Sequence, residues 1–308
     1  MPIHALVAVG GKTCRRQLKS PWCKSRCYNP NRQGFSIGLT GLFSIRNSQF
    51  VIHIIMQLTF LGTGTSMGVP VVACTCSVCT SGDPYNQRMR TSALLEAGGL
   101  RILIDAGPDF RMQALRIGLD RLDAVILTHS HYDHVAGIDD LRPLNRCTRN
   151  IPIYGNPETL RDVRERFNYA FAATSNGSSR PALNLVPIAS TFTIGPLTFT
   201  SFEVPHGVGR VTGYRIGNLG YVTDASGIPD AVREQLRDLD LLVLNALREE
   251  PHPTHFSLNE AVAMVAILNP KRARFVHMTH DLDHQTINAR LPASIALAHD
   301  GLVLEVAD

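Results

Sequence analysis

A short run of histidines with one aspartate most constrains the fold of this chain. It places His129, His131, Asp133 and His134 directly after the apolar strand that residues 122–127 predict. Strand ends are where a rigid scaffold presents side chains to a site, and residues two apart lie on the same side of an extended segment. Imidazole and carboxylate together suit zinc, manganese or iron. The run therefore predicts a metal centre at the edge of a sheet.

Three further candidate ligands stand at the ends of other predicted strands. They are His206, Asp224 and His277. Any one of them alone would more often be a structural polar residue. Their shared position at strand ends, where side chains converge on one edge of a sheet, favours a common site. With the first four residues they supply enough ligands for two neighbouring metal ions.

Strand-like and helix-like segments alternate from Met56 to the C-terminus. The predicted strands are residues 57–61, 92–96, 101–105, 124–128, 151–154, four runs within 183–222, 241–244, 274–277 and 302–306. The predicted helices are residues 109–117, 157–167, 229–237, 258–268 and 285–290, the fourth beginning with a capping box of Ser257 and Glu260. This alternation favours a layered α/β domain in which helices cover sheets.

Basic charge is concentrated at the N-terminus. Residues 1–55 hold eight Lys or Arg and no Asp or Glu, so 22 of the chain's 30 basic residues remain to face all 26 acidic ones. The rest of the chain is slightly acidic, which argues against a broad basic surface for nucleic acid. Three interpretations of this leader stay open: a targeting peptide, a basic arm for an anionic partner, or sequence outside the functional protein, with Met56 as its start.

Three cysteines form a tight cluster, Cys74, Cys76 and Cys79. Their spacing is too short for disulfides among themselves without strain. It suits a closed tetrahedral zinc site of three cysteines and one histidine. The sequence HMTHDLDH offers His280 or His284 as the fourth ligand.

The seven cysteines of the chain do not suggest a disulfide framework. Three lie in the leader, three in the cluster, and Cys147 stands apart, where we expect it to be a small buried hydrophobe. An odd total with one tight cluster favours metal binding in a reducing compartment, and therefore a cytoplasmic location. No stretch approaches the roughly 18–20 apolar residues of a membrane span.

The glycine run from Gly62 to Gly68 matches neither the dinucleotide fingerprint nor the lysine-containing nucleotide loop. We expect it to form a tight turn from a strand into a loop.

The metal-ligand pattern resembles the metallo-β-lactamase superfamily from about Met56 to the C-terminus. The resemblance implies a four-layered αβ/βα sandwich with two divalent metals, Zn or Mn, between its sheets. Residues 56–308 would then form a metallo-hydrolase domain, and residues 1–55 would be disordered or not part of the functional protein. The implied ligands are His129, His131 and His206 for one metal, Asp133, His134 and His277 for the other, and Asp224 as a bridge, with Asp133 also counted as catalytic.

The glycine run and cysteine cluster (LGTGTSMGVPVVACTCSVC) narrow this resemblance. They are similar to the branch that contains phosphoribosyl cyclic phosphate phosphodiesterase, from phosphonate metabolism. In that branch a late His-x-x-His pair is divided, which implies His277 for the active site and His280 for the structural zinc, with His284 as the alternative. The branch also has a histidine that protonates a leaving oxygen, here His255 in preference to His252.

The sequence therefore predicts a binuclear hydrolase, a phosphodiesterase for a small cyclic phosphate such as phosphoribosyl 1,2-cyclic phosphate. Two alternatives stay open: a tRNA 3′-processing-type nuclease, although no inserted basic arm is apparent, and a quinone-cofactor-biosynthesis-like metal protein of the same fold. The expected partner is a small-molecule phosphodiester; nucleic acid is not favoured and no membrane is involved. The oligomeric state is left open, a homodimer included.

Overall fold

The computed structural model describes residues 56–172 and 179–307. The sequence prediction for the leader, residues 1–55, lies outside the described residues. Within the described ranges, no helix is long and apolar enough to cross a bilayer.

The described part of the chain contains fourteen strands and seven α-helices. The strands are β1 (Met56–Gly62), β2 (Ser92–Ala97), β3 (Leu100–Ile104), β4 (Ala124–Ile126), β5 (Ile151–Gly155), β6 (Leu183–Pro187), β7 (Thr191–Ile194), β8 (Leu197–His206), β9 (Gly209–Ile216), β10 (Leu219–Val222), β11 (Leu241–Asn245), β12 (Arg272–Val276), β13 (Ile295–Leu297) and β14 (Val303–Val306). The α-helices are α1 (Phe110–Arg116), α2 (Tyr132–Val135), α3 (Pro157–Arg166), α4 (Asn168–Phe171), α5 (Asp230–Arg233), α6 (Leu258–Leu268) and α7 (His284–Asn288).

The strands form two seven-stranded sheets. The first has the order β14-β1-β2-β3-β4-β5-β6 and the second β13-β12-β11-β10-β9-β8-β7. Strands β3 to β6 are parallel neighbours, as are β10 to β13. The other pairs are antiparallel. Parallel neighbours need crossover connections, and these connections carry the helices.

Three hydrophobic clusters hold the layers together. One lies between the sheets and includes Ile102 and Val243. A second packs Leu103 with Phe110 of α1 on the outer side of the first sheet, and a third packs β11 and β12 against α6 around Phe275. Ile102 and Leu103 fall in different clusters because consecutive strand residues point to opposite faces. The layers are helices, sheet, sheet and helices, so the predicted αβ/βα sandwich is confirmed.

The element predictions hold where the pattern is strong. Helix α6 has the predicted bounds, and its Ser257–Glu260 capping box is formed. The predicted helix 229–237 is instead α5 followed by a 3-10 stretch, Glu234–Leu236. The three-residue strand β13 was missed because so short a run carries little periodicity.

The prediction of a buried Cys147 is wrong. Residues Ile138–Arg146 form a 3-10 stretch that the sequence analysis did not identify, and Cys147 lies exposed at its C-terminal end.

The glycine run forms the predicted turn and packs closely against two other segments. The N–H of Gly64 donates to Met89 O at 2.8 Å, and that of Thr65 donates to Met278 O at 3.1 Å. A Cβ on Gly64 would lie 2.8 Å from Arg88 O, so a side chain is excluded there. These backbone N–H groups are engaged by the protein itself, and the run fixes the chain beside His277.

Candidate metal centres

Seven predicted ligands converge at one edge of the two sheets. His129 and His131 follow β4, Asp133 and His134 lie in the first turn of α2, His206 ends β8, and Asp224 and His277 come just after β10 and β12. The two sheets meet face to face, so their strand ends bring these side chains together. The structure groups them into two adjacent sets.

The first set consists of His129, His131 and His206, whose ring nitrogens lie within 4.8 Å of one another. Ring centroids are 4.5 Å apart for His129 and His131 and 5.1 Å apart for His131 and His206. His129 is buried, His206 is half-buried and His131 is exposed. This set is therefore open on one side.

The second set consists of Asp133, His134, Asp224 and His277, and all four are buried. His277 Nε2 lies 3.0 Å from Asp224 Oδ1 and 3.4 Å from Asp133 Oδ2. His134 Nε2 lies 3.4 Å from Asp224 Oδ2 and 3.3 Å from Asp133 Oδ2. Donor atoms that share one ion at about 2.0–2.2 Å lie roughly 3–3.5 Å apart, so this spacing fits a metal.

Asp224 belongs to both neighbourhoods. It also lies within 4.8 Å of ligand atoms of His206 and His255. Its carboxylate therefore lies between the two sets, and each of its oxygens is available to a different set.

Neighbouring groups hold the Nδ1 atoms of three histidines. His129 Nδ1 meets Thr128 Oγ1 at 3.0 Å, His134 Nδ1 meets Asp105 Oδ2 at 2.7 Å, and His206 Nδ1 meets Thr254 O at 2.9 Å. Metal-binding histidines are commonly oriented through their second ring nitrogen. The arrangement leaves Nε2 of each ring for the centre.

Asp105 is the functional residue that sequence reasoning missed. It is fully buried at the end of β3 and also accepts from Thr128 N at 2.8 Å and from Thr128 Oγ1 at 2.8 Å. An aspartate at the end of a predicted strand, in IDAG, was the available signal. It is the same signal that singled out Asp224.

Buried ring nitrogens without partners indicate that a cation belongs in this centre. Among the described residues, Nε2 of His129 and of His134 and Nδ1 of His277 are buried and accept or donate no hydrogen bond. A buried polar atom left unpaired costs about 1–3 kcal/mol. The Nε2 atoms of His129 and His134 face the carboxylates and imidazoles of the two sets, so divalent metal ions fit the residues present.

Three of the six described non-glycine residues with positive φ lie at the same edge. Asp105, Asp224 and His277 have φ values of 61°, 59° and 57°, in the left-handed region that non-glycine residues rarely adopt. Such conformations persist where the surrounding structure holds them, most often at functional sites. The strained backbone turns these three side chains into the centre.

Electrostatics favour the ligand form at His129, Asp133 and Asp224 but not at His134. Burial would lower the pKa of His134, but Asp224 and Asp105 raise it well above its usual value. Burial lowers the pKa of His129 well below its usual value, and the neighbouring His134 adds to this effect. Burial would raise the pKa of Asp224, but His277 and His134 hold it well below its usual value. Asp133 behaves in the same way: burial would raise its pKa, but the neighbouring His134 and His277 lower it. Neutral imidazole and ionised carboxylate are the forms that bind metals.

His255 lies inside the centre. Its Nε2 is 3.2 Å from Asp224 Oδ1, and its ring stacks on His277 with a centroid distance of 4.9 Å. Thr254 Oγ1 lies 2.7 Å from His255 Nδ1, and His252 Nδ1 lies 3.4 Å from the same atom. His252, the rival in the sequence, is therefore behind His255. Burial lowers the pKa of His255, while the hydrogen bond to Asp224 opposes this.

The cysteine cluster forms a separate group with His280. The Nδ1 atom of His280 lies 3.2 Å from Cys74 Sγ, 3.4 Å from Cys76 Sγ and 3.3 Å from Cys79 Sγ. One imidazole nitrogen carries at most one hydrogen, so it cannot bond three sulfurs at once. A metal ion among these four donors accounts for the geometry, and tetrahedral Cys₃His sites are typical of zinc.

His284 is not part of this group. Its backbone N–H donates to Asn86 Oδ1 at 3.0 Å, and its ring lies 4.9 Å from that of Tyr85. The structure thus brings His280 to the cysteines and leaves His284 beside Tyr85.

A cavity of about 410 Å³ opens beside the first set of histidines. His129, His131 and His206 form one wall, and the N-terminal part of α3 forms another, with Asp162. A substrate has room here next to the exposed side of the metal centre.

Comparison with known proteins agrees with this fold and site. The profile of the Beta-lactamase superfamily domain matches residues 100–278, more than half of the 308-residue chain. The chain belongs to the beta-lactamase superfamily. A crystal structure of a new diphosphatase from the PhnP family is 42% identical, with a TM-score of 0.76, and the similarity covers 82% of this chain and 100% of that one. Within the superfamily, the chain therefore belongs to the PhnP family, and the predicted branch is confirmed.

Two curated relatives carry other names. An octanoyltransferase of Porphyromonas gingivalis is 38% identical over 253 residues, 80% of this chain and 51% of that protein. A ribonuclease Z of Bradyrhizobium sp. is 32% identical over 157 residues, 49% of this chain and 46% of that protein. The chain spans about half the length of these curated relatives.

Proposed function

We propose that this protein is a binuclear metal-dependent phosphodiesterase that acts on a small cyclic phosphate such as phosphoribosyl 1,2-cyclic phosphate. The observation that carries the proposal is the pair of donor sets that share Asp224 and open onto a cavity. Hydrolysis at phosphorus is also what the names of the diphosphatase and ribonuclease relatives denote.

Seven residues would hold the two metals. His129, His131 and His206 would bind one ion, Asp133, His134 and His277 the other, and Asp224 would bridge them. When bound, such ions lower the pKa of water to about 7 and neutralise charge on a phosphoryl group. Zinc or manganese suits this mixed set, and zinc suits the group of Cys74, Cys76, Cys79 and His280.

The protein's own residues would orient the reacting groups. Asp105, which accepts a hydrogen bond from Thr128, fixes the ring of His134, and Thr254 fixes His206. His255 holds a proton at Nε2, next to Asp224, and we assign it the protonation of the departing oxygen.

A metal-dependent assay tests this proposal. Protein stripped with a chelator and reloaded with zinc or manganese should hydrolyse bis-p-nitrophenyl phosphate, and elemental analysis should find two ions in addition to one zinc. A panel of phosphoribosyl cyclic phosphate, cyclic nucleotides and pre-tRNA then ranks substrates. Faster cleavage of pre-tRNA would favour the ribonuclease alternative, which the identity to ribonuclease Z supports. No turnover with either metal would favour the quinone-cofactor-biosynthesis-like alternative.

A further inference from the structure

His131 is the ligand of the open donor set whose ring the protein orients least. Nδ1 of His129 and of His206 is held by Thr128 and Thr254, whereas the ring of His131 is exposed and makes no hydrogen bond with any described residue. Metal-binding histidines are commonly oriented through the ring nitrogen that does not bind the ion. Because this support is missing, the position of His131 depends mainly on its backbone.

The backbone before His131 is held from helix α3. Residues 127–131 lie between β4 and α2 and belong to neither element. Within this segment, Ser130 Oγ donates to Asp162 Oδ2 at 2.6 Å, and the backbone carbonyl of Ser130 accepts from Arg166. The first distance lies in the range of about 2.5–2.7 Å that is typical of a hydroxyl donating to a carboxylate. Asp162 and Arg166 share one face of α3, since side chains at positions i and i+4 of a helix are neighbours, and together they grip the segment at Ser130.

Helix α3 is itself anchored at its start and along its buried face. Asn156 caps the helix, with Oδ1 accepting from Thr159 N at 2.8 Å, and its Nδ2 donates to Thr212 Oγ1 on β9 at 3.1 Å. Leu160 and Val163 are buried in the hydrophobic cluster on the outer side of the first sheet. The helix therefore offers a fixed point to which Ser130 is attached.

We infer that Asp162 is a positioning residue for the open metal site and that it acts through Ser130. By holding Ser130, it fixes the segment that carries both His129 and His131. The inference rests on the proposed binuclear centre and adds that α3, which supplies no ligand, sets the affinity of the open set for its ion. Asp162 also lines the cavity, so a direct contact with the substrate is the rival role.

Metal titration of the chelator-stripped protein tests this role without relying on activity. Asp162→Ala should weaken the binding of one active-site ion about 10-fold, because mutation of an outer partner typically costs about 10–100-fold in metal affinity or activity. The zinc of the cysteine group should keep its affinity and serves as the internal standard. Competition with a chromophoric chelator, followed by elemental analysis, measures both affinities in the same sample. Thermal unfolding of the metal-free variant shows whether α3 still packs.

A double-variant comparison separates an action through Ser130 from a direct one. Ser130→Ala removes the same hydrogen bond from its other end, so Ser130→Ala and the double variant should both match Asp162→Ala, since changes that break one shared bond are not additive. Asp162→Asn keeps a neutral acceptor and should restore part of the affinity. Glu165→Ala is the matched control, because it removes a carboxylate from the same helix at an exposed position that does not line the cavity. It should leave metal affinity unchanged.

Three results would overturn the inference. One is normal metal affinity in Asp162→Ala together with a lower kcat/KM for the cyclic phosphate, which would assign Asp162 to the substrate. Another is additive losses of affinity in the double variant, which would show that Asp162 does not act through Ser130. The third is a natural protein that takes up no active-site ions, which would remove the proposed centre together with the inference, whereas the first two results leave that centre in place.

Discussion

The histidine–aspartate centre and the cysteine group differ in how they are closed. The centre contains an exposed donor, His131, and borders a cavity, whereas the cysteine group surrounds its centre with four protein donors. Structural zinc sites are closed by four protein ligands, and catalytic sites keep a position open. The type of donor and the access of solvent to the site therefore distinguish a site suited to chemistry from one suited to stability.

The two regions also differ in their scaffold. The centre is built at strand ends of two packed sheets, while the cysteine group is built on a loop between β1 and β2 and on the loop after β12. Its own apolar cluster is small and contains Val69, Val78 and Cys79. We therefore expect the sheets to hold the centre in shape without metal, and the cysteine loop to depend on its ion.

The largest effect should come from Asp224→Asn. This change keeps the shape of the side chain but removes the charge that the two donor sets share, so kcat/KM should fall at least about 10³-fold, or roughly 4 kcal/mol. The melting temperature should change little, because the cores of the sheets are untouched. Steady-state kinetics, elemental analysis and thermal unfolding measure this. A variant with normal metal content and full activity would remove the distinction between the two regions.

Cys79→Ser should show the opposite pattern, with a clear loss of stability against unfolding. Loss of a structural zinc removes binding energy that is also folding energy, so we expect a decrease of about 4 kcal/mol in the free energy of unfolding. Urea unfolding of the variant and of the natural protein, with and without zinc, measures the decrease. If the variant unfolds like the natural protein, the cysteine group does not stabilise the fold through an ion.

Asp105→Asn tests the layer behind the open centre. The variant retains the shape next to His134 but loses the charged acceptor of the 2.7 Å hydrogen bond. Mutation of a residue that hydrogen-bonds a metal ligand typically lowers metal affinity or activity about 10–100-fold. A metal titration followed by activity gives the affinity. Asp123→Asn, a strand-flanking aspartate that accepts from Arg101 N away from the centre, is the matched control and should leave metal affinity unchanged.

The two candidate histidines near the cysteine group should behave differently. His280→Ala should release zinc, whereas His284→Ala should retain it.

The smallest effect is expected from the titration of His284. Burial lowers the pKa of His284 to about 4 from 6.5. A base with a depressed folded pKa contributes stability above pH 6.5 that is lost as the pH falls towards 4. Between these values the natural protein should lose about 1 kcal/mol more than His284→Ala, after allowance for solvent screening. If the free energy of unfolding changed with pH equally in the natural protein and in His284→Ala, this prediction would be wrong.

Much of the centre could be predicted from the sequence, because its ligands occur as a dense motif and at strand ends. The run from His129 to His134 needed no tertiary information, and the structure brings His206, Asp224 and His277 to the same edge. Asp105 was missed because its role is a contact with His134, 29 residues away in the sequence. The choice between His280 and His284 also depended on the path of a loop.

His277 and His280 lie on one short segment, three residues apart, and His280 meets Cys74 across 206 positions of sequence. Arg88 binds this segment at Thr279 O, at a distance of 2.7 Å. Both centres therefore remain incomplete during synthesis until nearly the whole domain has left the ribosome. A nascent chain that stops before β12 would lack both His277 and His280, so the second donor set and the cysteine group could bind their ions with full ligand sets only after synthesis has passed β12.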